Sequence, residues 1–309
     1  MKPLLFTLEA GLPLFQPLCR QLAAEIGELE SRQFPDGESY LRIPAPVTGR
    51  HCVLLADLSH PDPKFLPLLF LVATLRELGA ASVGLVAPYL CYMRQDRRFQ
   101  PGEALTSRIF AQHLSRELDW LVTVDPHLHR YHSLDEIYTI PARTLTGVPL
   151  LADWLRQRGE TCLLVGPDAE SRQWVAEIAA QTGLPFIVGH KERRGDRDVV
   201  VTLPAIPPEQ TAIKSAVIVD DVIASGHTIL QTIASLRSVG IETIDCIAVH
   251  GVFAGNAEVL VRGSGLRQLV TSNSIPGSSA KIDLSPLLAE PIRELLAGAG
   301  GSPTTVNGD

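Results

Sequence analysis

The residues best placed to do chemistry in this 309-residue chain lie at 217–228, in the run Val-Ile-Val-Asp-Asp-Val-Ile-Ala-Ser-Gly-His-Thr. An apolar, β-branched stretch delivers two adjacent carboxylates, Asp220 and Asp221, and a turn of small residues beginning at Ala224 then opens a helix. Ser225, Gly226, His227 and Thr228 place backbone N–H groups and two hydroxyls at that helix N-terminus, where partial positive charge holds an anion. Gly226 lets the backbone come close to such an anion, because a Cβ would collide with it or forbid the turn. One step back, the two acids accept hydrogen bonds from vicinal hydroxyls, so the features together describe a sugar phosphate. An acidic strand end followed by an ordinary Ser/Thr cap is the plain alternative for a strand, two acids, a turn and a helix.

Other runs carry functional groups at telling places. Arg94, Gln95 and Arg97, in Met93-Arg94-Gln95-Asp96-Arg97, offer a planar donor fork and an amide suited to phosphate and purine recognition. Lys191 is one of only five lysines, alone between Lys64 and Lys214, in the charged stretch His190-Lys191-Glu192-Arg193-Arg194-Gly195-Asp196-Arg197-Asp198. By itself that stretch reads as a solvated charged loop after an apolar strand. Phe34-Pro35-Asp36-Gly37-Glu38 reads by itself as a turn. His127, His129 and His132 invite a zinc reading, but no Cys or Glu at helical spacing completes a tetrahedral set. His129 and His132 are read as surface or packing residues.

Such residues need a scaffold, and the chain alternates strand-like with helix-like stretches in the pattern of an α/β protein with a mostly parallel sheet. Strands are predicted at 51–56, 82–87, 120–124, 161–165, 216–219 and 243–249, short and nearly continuous in apolarity as expected for burial on both faces. Helices are predicted at 65–78, 171–182 and 229–238, ending near Gly79, Gly183 and Gly240. The segment 141–149, with two prolines and Gly147, reads as a break between two halves of similar size, which suggests a duplicated domain. Residues 297–309, rich in Gly, Ser and Thr, read as a disordered tail.

Composition limits the function classes. With 27 basic against 34 acidic residues, the net charge of −7 argues against a nucleic-acid partner, which requires a basic excess. Five widely spaced cysteines with no CxxC fit a reducing cytoplasm. The longest apolar run, 65–75, is broken by Pro67 and is too short for a membrane span, and residues 1–13 do not resemble a signal peptide. A soluble, cytoplasmic protein with neither nucleic-acid nor membrane partner is expected.

The run 220–228 resembles the phosphoribosyl pyrophosphate (PRPP) loop shared by type I phosphoribosyltransferases and PRPP synthetases. Further segments, in the right order from about residue 30 to 280, resemble the ribose-phosphate pyrophosphokinase (PRPP synthetase) family. They are Phe34-Pro35-Asp36-Gly37-Glu38, Pro88-Tyr89 with Tyr92 to Arg97, Thr123-Val124-Asp125-Pro126-His127, Gly166-Pro167-Asp168, and His250 to Gly255 followed by Thr271 to Pro276.

The resemblance implies an α/β fold of two similar phosphoribosyltransferase type I-like domains, at 1–147 and 148–290, each a mostly parallel sheet flanked by helices. It implies ATP contacts at Phe34, Asp36, Gly37, Glu38, Arg94, Gln95 and Asp96, the 34–38 loop reaching the ATP of a neighbouring subunit. Mg²⁺ falls to His127 and Asp168, and catalysis to Lys191 and Arg193. Ribose 5-phosphate falls to Arg193, Asp220, Asp221, Ala224, Ser225, Gly226, His227 and Thr228. The implied reaction transfers the pyrophosphoryl group of Mg-ATP to ribose 5-phosphate, giving PRPP and AMP, in a self-associating enzyme, a hexamer built from dimers. A PRPP-consuming phosphoribosyltransferase and a non-catalytic regulatory subunit are the alternatives. Ala224, His227 and residues 128–130 depart from the commonest family pattern.

Overall fold

The computed structural model describes residues 1–193, 199–207, 210 and 212–299. They divide into two units, Met1–Leu145 with the chain from Ser285 on, and Thr146–Leu284.

The first unit runs β1 (Leu4–Phe6), α1 (Phe15–Leu22), β2 (Glu25–Ile26), β3 (Glu30–Gln33), β4 (Ser39–Arg42), β5 (His51–Leu55), α2 (Asp62–Glu77), β6 (Ser82–Val86), α3 (Thr106–Glu117), β7 (Trp120–Val124) and β8 (Ala142–Leu145). Six strands form a parallel sheet in the order β2-β1-β5-β6-β7-β8, and β3 pairs with β4 as a separate antiparallel hairpin. The core lies between sheet and helices, with Phe6, Leu54, Leu85 and Leu121 of the strands packed with Leu71 and Leu75 of α2 and Phe110 of α3. Each such side chain stabilises the fold by roughly 1.5–3 kcal/mol through burial.

The second unit runs α4 (Val148–Arg158), β9 (Leu163–Gly166), α5 (Arg172–Thr182), β10 (Phe186–Val188), β11 (His190–Arg193), β12 (Val199–Thr202), β13 (Ser215–Ile223), α6 (His227–Ser238), β14 (Thr243–Gly251), α7 (Ala257–Gly263), β15 (Gln268–Ser272) and β16 (Ala280–Ile282). Its parallel sheet has the order β10-β9-β13-β14-β15-β16, and β11 and β12 form the hairpin. The core again joins sheet and helix, through Leu163, Val165, Ile218, Cys246, Ile229 and Leu236. A last helix, α8 (Ser285–Ala299), belongs to the first unit, where it packs on α1 and Arg293 Nη2 donates to the Gln21 carbonyl at 2.5 Å.

Ranked along the chain, the six main strands of both sheets lie in the order second, first, third, fourth, fifth, sixth. In both units the antiparallel hairpin is inserted between the second and third main strands. Each sheet therefore reverses direction beside its first strand, and the crevice beyond the carboxyl ends of the first and third strands is where such sheets bind ligands.

Several sequence boundaries are corrected. The strand predicted at 216–219 continues to Ile223, so both acids lie within it; Asp220 pairs with Ala248 and Val222 with His250 on β14, and this pairing overrides aspartate's poor strand propensity. The break predicted at 141–149 does contain the division between the units, at Leu145 and Thr146, but it is built of β8 and the start of α4. Lys191 lies in a strand, because 190–193 pair with 199–202. Residues 297–299 continue α8, and the rest of the predicted tail, 300–309, lies outside the described residues. The domain end at 290 also shifts, since the apolar side of α8, including Leu288 and Ile292, is buried on the first unit.

Candidate functional site

In the second unit β9 and β13 are neighbours, and the segments that follow them meet at the switch point. Beyond β9, Asp168 is tied down locally: its Oδ1 accepts the N–H groups of Glu170 and Ser171 at 3.1 and 3.2 Å, and its carbonyl accepts the Ser171 hydroxyl at 2.6 Å. Its Oδ2 accepts Nζ of Lys191 at 3.1 Å, an ion pair largely withdrawn from water. Lys191 comes from β11, so the hairpin inserted after β10 delivers a cation to the carboxyl edge of the sheet.

At the end of β13, Asp221 is buried and its Oδ1 accepts the Val222 N–H at 2.8 Å, while Asp220 Oδ1 accepts the Asp221 N–H at 3.1 Å. Burial pushes the Asp220 carboxyl well above the usual carboxylate range, and the neighbouring charges of Asp221 and Asp168 add to the effect, with Lys191 opposing it. Three carboxylates and one ammonium thus share the site.

The turn at 224–228, read from the sequence as an anion site, follows at once. Gly226 is the left-handed N-cap of α6 at φ 75°, and the first helical bond runs from the Leu230 N–H to its carbonyl at 2.9 Å. Preceding N–H groups of a first turn have no partner within the helix. Ser225 and His227 are exposed and Thr228 and Ala224 half-buried, so the loop faces solvent with its donors available. It is braced from behind: the Ala254 N–H donates to the Ala224 carbonyl, and the Val252 and Phe253 N–H groups to that of Ile223. The 250–255 and 271–276 segments are joined by the buried hydrogen bond between His250 Nδ1 and Ser274 Oγ at 2.8 Å.

In the first unit, Phe34 to Glu38 form the exposed tip of the β3–β4 hairpin. Asp36 Oδ1 accepts the Glu38 N–H at 3.1 Å, which fixes the turn, and the Arg32 guanidinium lies over both the Phe34 and Tyr40 rings, at 4.6 and 4.2 Å from their centroids. Arg94 is exposed. Asp96 is not, and accepts Nη1 of Arg130 on both oxygens, at 2.7 and 2.9 Å. Tyr131 donates to the Asp96 carbonyl and Ser107 to that of Gln95. Asp96 is therefore an anchor that shapes the segment presenting Arg94 and Gln95. His127 stacks edge-to-face with His129 at 4.0 Å and follows Asp125, a non-glycine residue at φ 37°. Tyr92 and Phe253 have similar positive φ, so strained backbone recurs in the segments singled out from the sequence.

His127 and the ATP candidates belong to the first unit, and Asp168, Lys191 and the 224–228 turn to the second. Arg193 is placed by its backbone, opposite Val199, and 194–198 lie outside the described residues.

Residues 3–117 match the sequence profile of the N-terminal domain of ribose phosphate pyrophosphokinase, and residues 133–264 that of the phosphoribosyl transferase domain. The chain is 30% identical over 288 residues to the ribose-phosphate pyrophosphokinase of Methanopyrus kandleri, covering 92% of this chain and 97% of that one. The chain belongs to the ribose-phosphate pyrophosphokinase family. The ribose-phosphate pyrophosphokinase of Sulfurisphaera tokodaii is 31% identical over 281 residues, covering 89% and 95% of the two chains. The fold is that of phosphoribosylpyrophosphate synthetase from Mycobacterium smegmatis, with a TM-score of 0.82 and 23% identity over 96% of this chain and all of that one.

Within a pyrophosphokinase, the supporting residues that sequence reasoning missed are Ser171, which orients Asp168, and Arg130, Tyr131 and Ser107, which hold the 94–97 segment. Arg130 was visible only as a departure from the family pattern, and its partnership with Asp96, 34 residues away, requires the fold. Arg32 and Tyr40 face each other across the hairpin, a pairing readable once the Phe34 to Glu38 turn is taken as a hairpin tip.

Proposed function

We propose that this pyrophosphokinase joins ribose 5-phosphate to the β-phosphorus of ATP at the switch point of the second unit. The observation that carries this reading is the convergence there of Asp168 and Lys191 with the two acids of β13 and the open N-terminus of α6. The 5-phosphate sits on the backbone N–H groups and hydroxyls of Ser225 to Thr228, with the dipole of α6 behind them. His227 adds an imidazole to that turn and Ala224 keeps it narrow. Asp220 and Asp221 accept hydrogen bonds from the ring hydroxyls. The adenosine part of ATP is taken by Phe34, Asp36, Gly37 and Glu38 from a neighbouring subunit, with Arg94, Gln95 and the Asp96-anchored backbone.

The anomeric hydroxyl attacks the β-phosphorus, the bond from that phosphorus to the α-phosphate bridging oxygen breaks, and AMP leaves as the hydroxyl proton is lost. Lys191, with Arg193, stabilises the charge that develops on the transferred phosphoryl oxygens. Of the two proposed Mg²⁺ contacts, Asp168 has one carboxylate oxygen, Oδ2, not committed to backbone N–H groups, and Mg²⁺ would take such a carboxylate and fill its shell with water and phosphate oxygens; His127, in the first unit, is the other proposed contact. Bound there, the metal would neutralise phosphate charge and help Lys191 and Arg193 orient the nucleotide.

The first unit then supplies nucleotide contacts and the second the sugar-phosphate loop, in a cytoplasmic hexamer built from dimers. Five buried, unpaired cysteines suit a reducing compartment, and among the described residues no helix is long and apolar enough to cross a membrane. A match to both family profiles favours this reading over a PRPP-consuming phosphoribosyltransferase, and the presence of Lys191, His127 and Asp168 favours it over a regulatory subunit. The test is incubation with ATP, Mg²⁺ and ribose 5-phosphate. AMP and PRPP are expected in equal amounts, and AMP release that does not depend on the sugar would refute the assignment.

A further inference from the structure

The Asp168 carboxylate has two oxygens, and neither is idle. Oδ1 accepts two backbone N–H groups, from Glu170 and Ser171, and belongs to its own turn. Oδ2 accepts Nζ of Lys191 at 3.1 Å, with only 13% of the Asp168 side chain and 18% of the Lys191 side chain exposed. A divalent cation approaching Asp168 therefore meets Lys191 on the oxygen it needs. An ammonium and a dication repel strongly at contact distance in so confined a place, so one displaces the other.

We propose that Asp168 is a positioning residue for Lys191, holding the lysine away from substrate until a divalent cation takes Oδ2 and releases it. The proposal rests on the reading of Asp168 as a metal contact. The released ammonium has somewhere to go: Lys191 already acts electrostatically on Asp220, so Nζ stays among the carboxylates that face the sugar. Metal arrival and delivery of the phosphoryl-stabilising cation then become one event. Without metal, the lysine neutralises Asp168 and leaves the phosphate site short of one cation. The arrangement also makes Lys191 a competitor of the metal, so removing the lysine should tighten metal binding even as it damages catalysis.

Two measurements on the full-length chain test this, both without nucleotide. In the first, Mn²⁺ is titrated to saturation and free ion is followed by electron paramagnetic resonance, for the wild type, Lys191→Met, Lys191→Arg and Asp168→Asn. Lys191→Met is expected to bind Mn²⁺ roughly tenfold more tightly, equivalent to about 1.4 kcal/mol, Lys191→Arg about as the wild type does, and Asp168→Asn more weakly. In the second, acetylation of Lys191 by an N-hydroxysuccinimide ester is timed by mass spectrometry, which is simple with five lysines in the chain. Mn²⁺ should speed labelling of Lys191 in the wild type, while Asp168→Asn should label fast with or without it. Unfolding temperature checks that each variant is folded. Unchanged Mn²⁺ affinity in Lys191→Met, or wild-type labelling indifferent to Mn²⁺, overturns the proposal while weak binding by Asp168→Asn still upholds Asp168 as a metal contact. Wild-type Mn²⁺ affinity in Asp168→Asn removes the metal reading itself.

Discussion

Asp220 and Asp221 put two carboxylates on consecutive residues of a strand, and Asp220 is destabilised in its charged form by burial, by Asp221 and by Asp168. The folded chain therefore holds the Asp220 proton more firmly than the unfolded chain. Between the ordinary carboxylate range and the raised value the folded state binds more protons, so stability falls as pH rises through that window and the loss is complete above it. Asp220→Asn removes this cost. Without ligands it should raise the unfolding temperature by a few degrees at about pH 8 and by much less at about pH 4, and equal gains at both would show that the carboxylate is not the cause. It should also raise KM for ribose 5-phosphate. Lys191 acts on a different quantity. If it meets charge that exists only as the phosphoryl group transfers, Lys191→Ala should lower kcat by roughly 10²–10³-fold with KM for both substrates nearly unchanged. Initial-rate kinetics separate the two, and a rise in KM with kcat preserved would reassign the lysine to ground-state binding.

Among the elements, the turn between β13 and α6 is the most constrained. Gly226 is left-handed, and a Cβ placed there would lie 2.7 Å from Cγ2 of Val261 on α7. Gly226→Ala therefore adds backbone strain to a steric conflict, and should cost about 1–3 kcal/mol of stability, read by denaturant unfolding, with a larger KM for ribose 5-phosphate as the N–H groups of the turn are displaced. Val261→Ala in the same chain should recover the steric part alone. This turn was legible beforehand because strand, acids, small residues and helix cap are local signals. What lay beyond reach depended on partners distant in sequence. The continuation of β13 to Ile223 comes from pairing with β14, the strand character of Lys191 from pairing with 199–202, and the return of α8 to the first unit from a helix face whose partner, α1, lies at the other end of the chain. The equivalent switch point of the first unit is instructive by contrast. There the segment after β5 carries Asp57, whose carboxylate and carbonyl are both taken by Lys64 Nζ at 2.7 and 2.8 Å, and α2 begins with Asp62 and Pro63. An acidic side chain in the first turn and a proline without an N–H leave that helix end poorly suited to a phosphate, in contrast to the Gly226-capped start of α6 in the second unit.

For the whole molecule, the duplicated topology has a consequence that reaches beyond one chain. The two hairpins are inserted at the same place in the strand order, yet β11–β12 turns Lys191 in towards Asp168 of its own unit, while β3–β4 carries Phe34 to Glu38 at an exposed tip. An exposed aromatic at a hairpin tip, backed by Arg32 and Tyr40, offers a ready contact surface to another chain. If that tip completes the nucleotide site of a neighbouring subunit, the active site is a property of the assembly, and mutations in its two contributions must complement. Phe34→Ala alone should raise KM for ATP about tenfold through lost stacking area, and Lys191→Ala alone should be nearly inactive. When the two variant chains are co-expressed and assemble at random, about a quarter of the sites receive an intact tip from one chain and an intact lysine from another. Those sites should show wild-type KM for ATP, giving a low-KM phase of about a quarter of the wild-type rate that is absent from either variant and from a mixture of separately assembled proteins. If the tip instead served its own chain, an intact tip would always accompany the defective lysine. Co-expression would then return no low-KM activity, and a solution mass corresponding to a single chain would lead to the same conclusion.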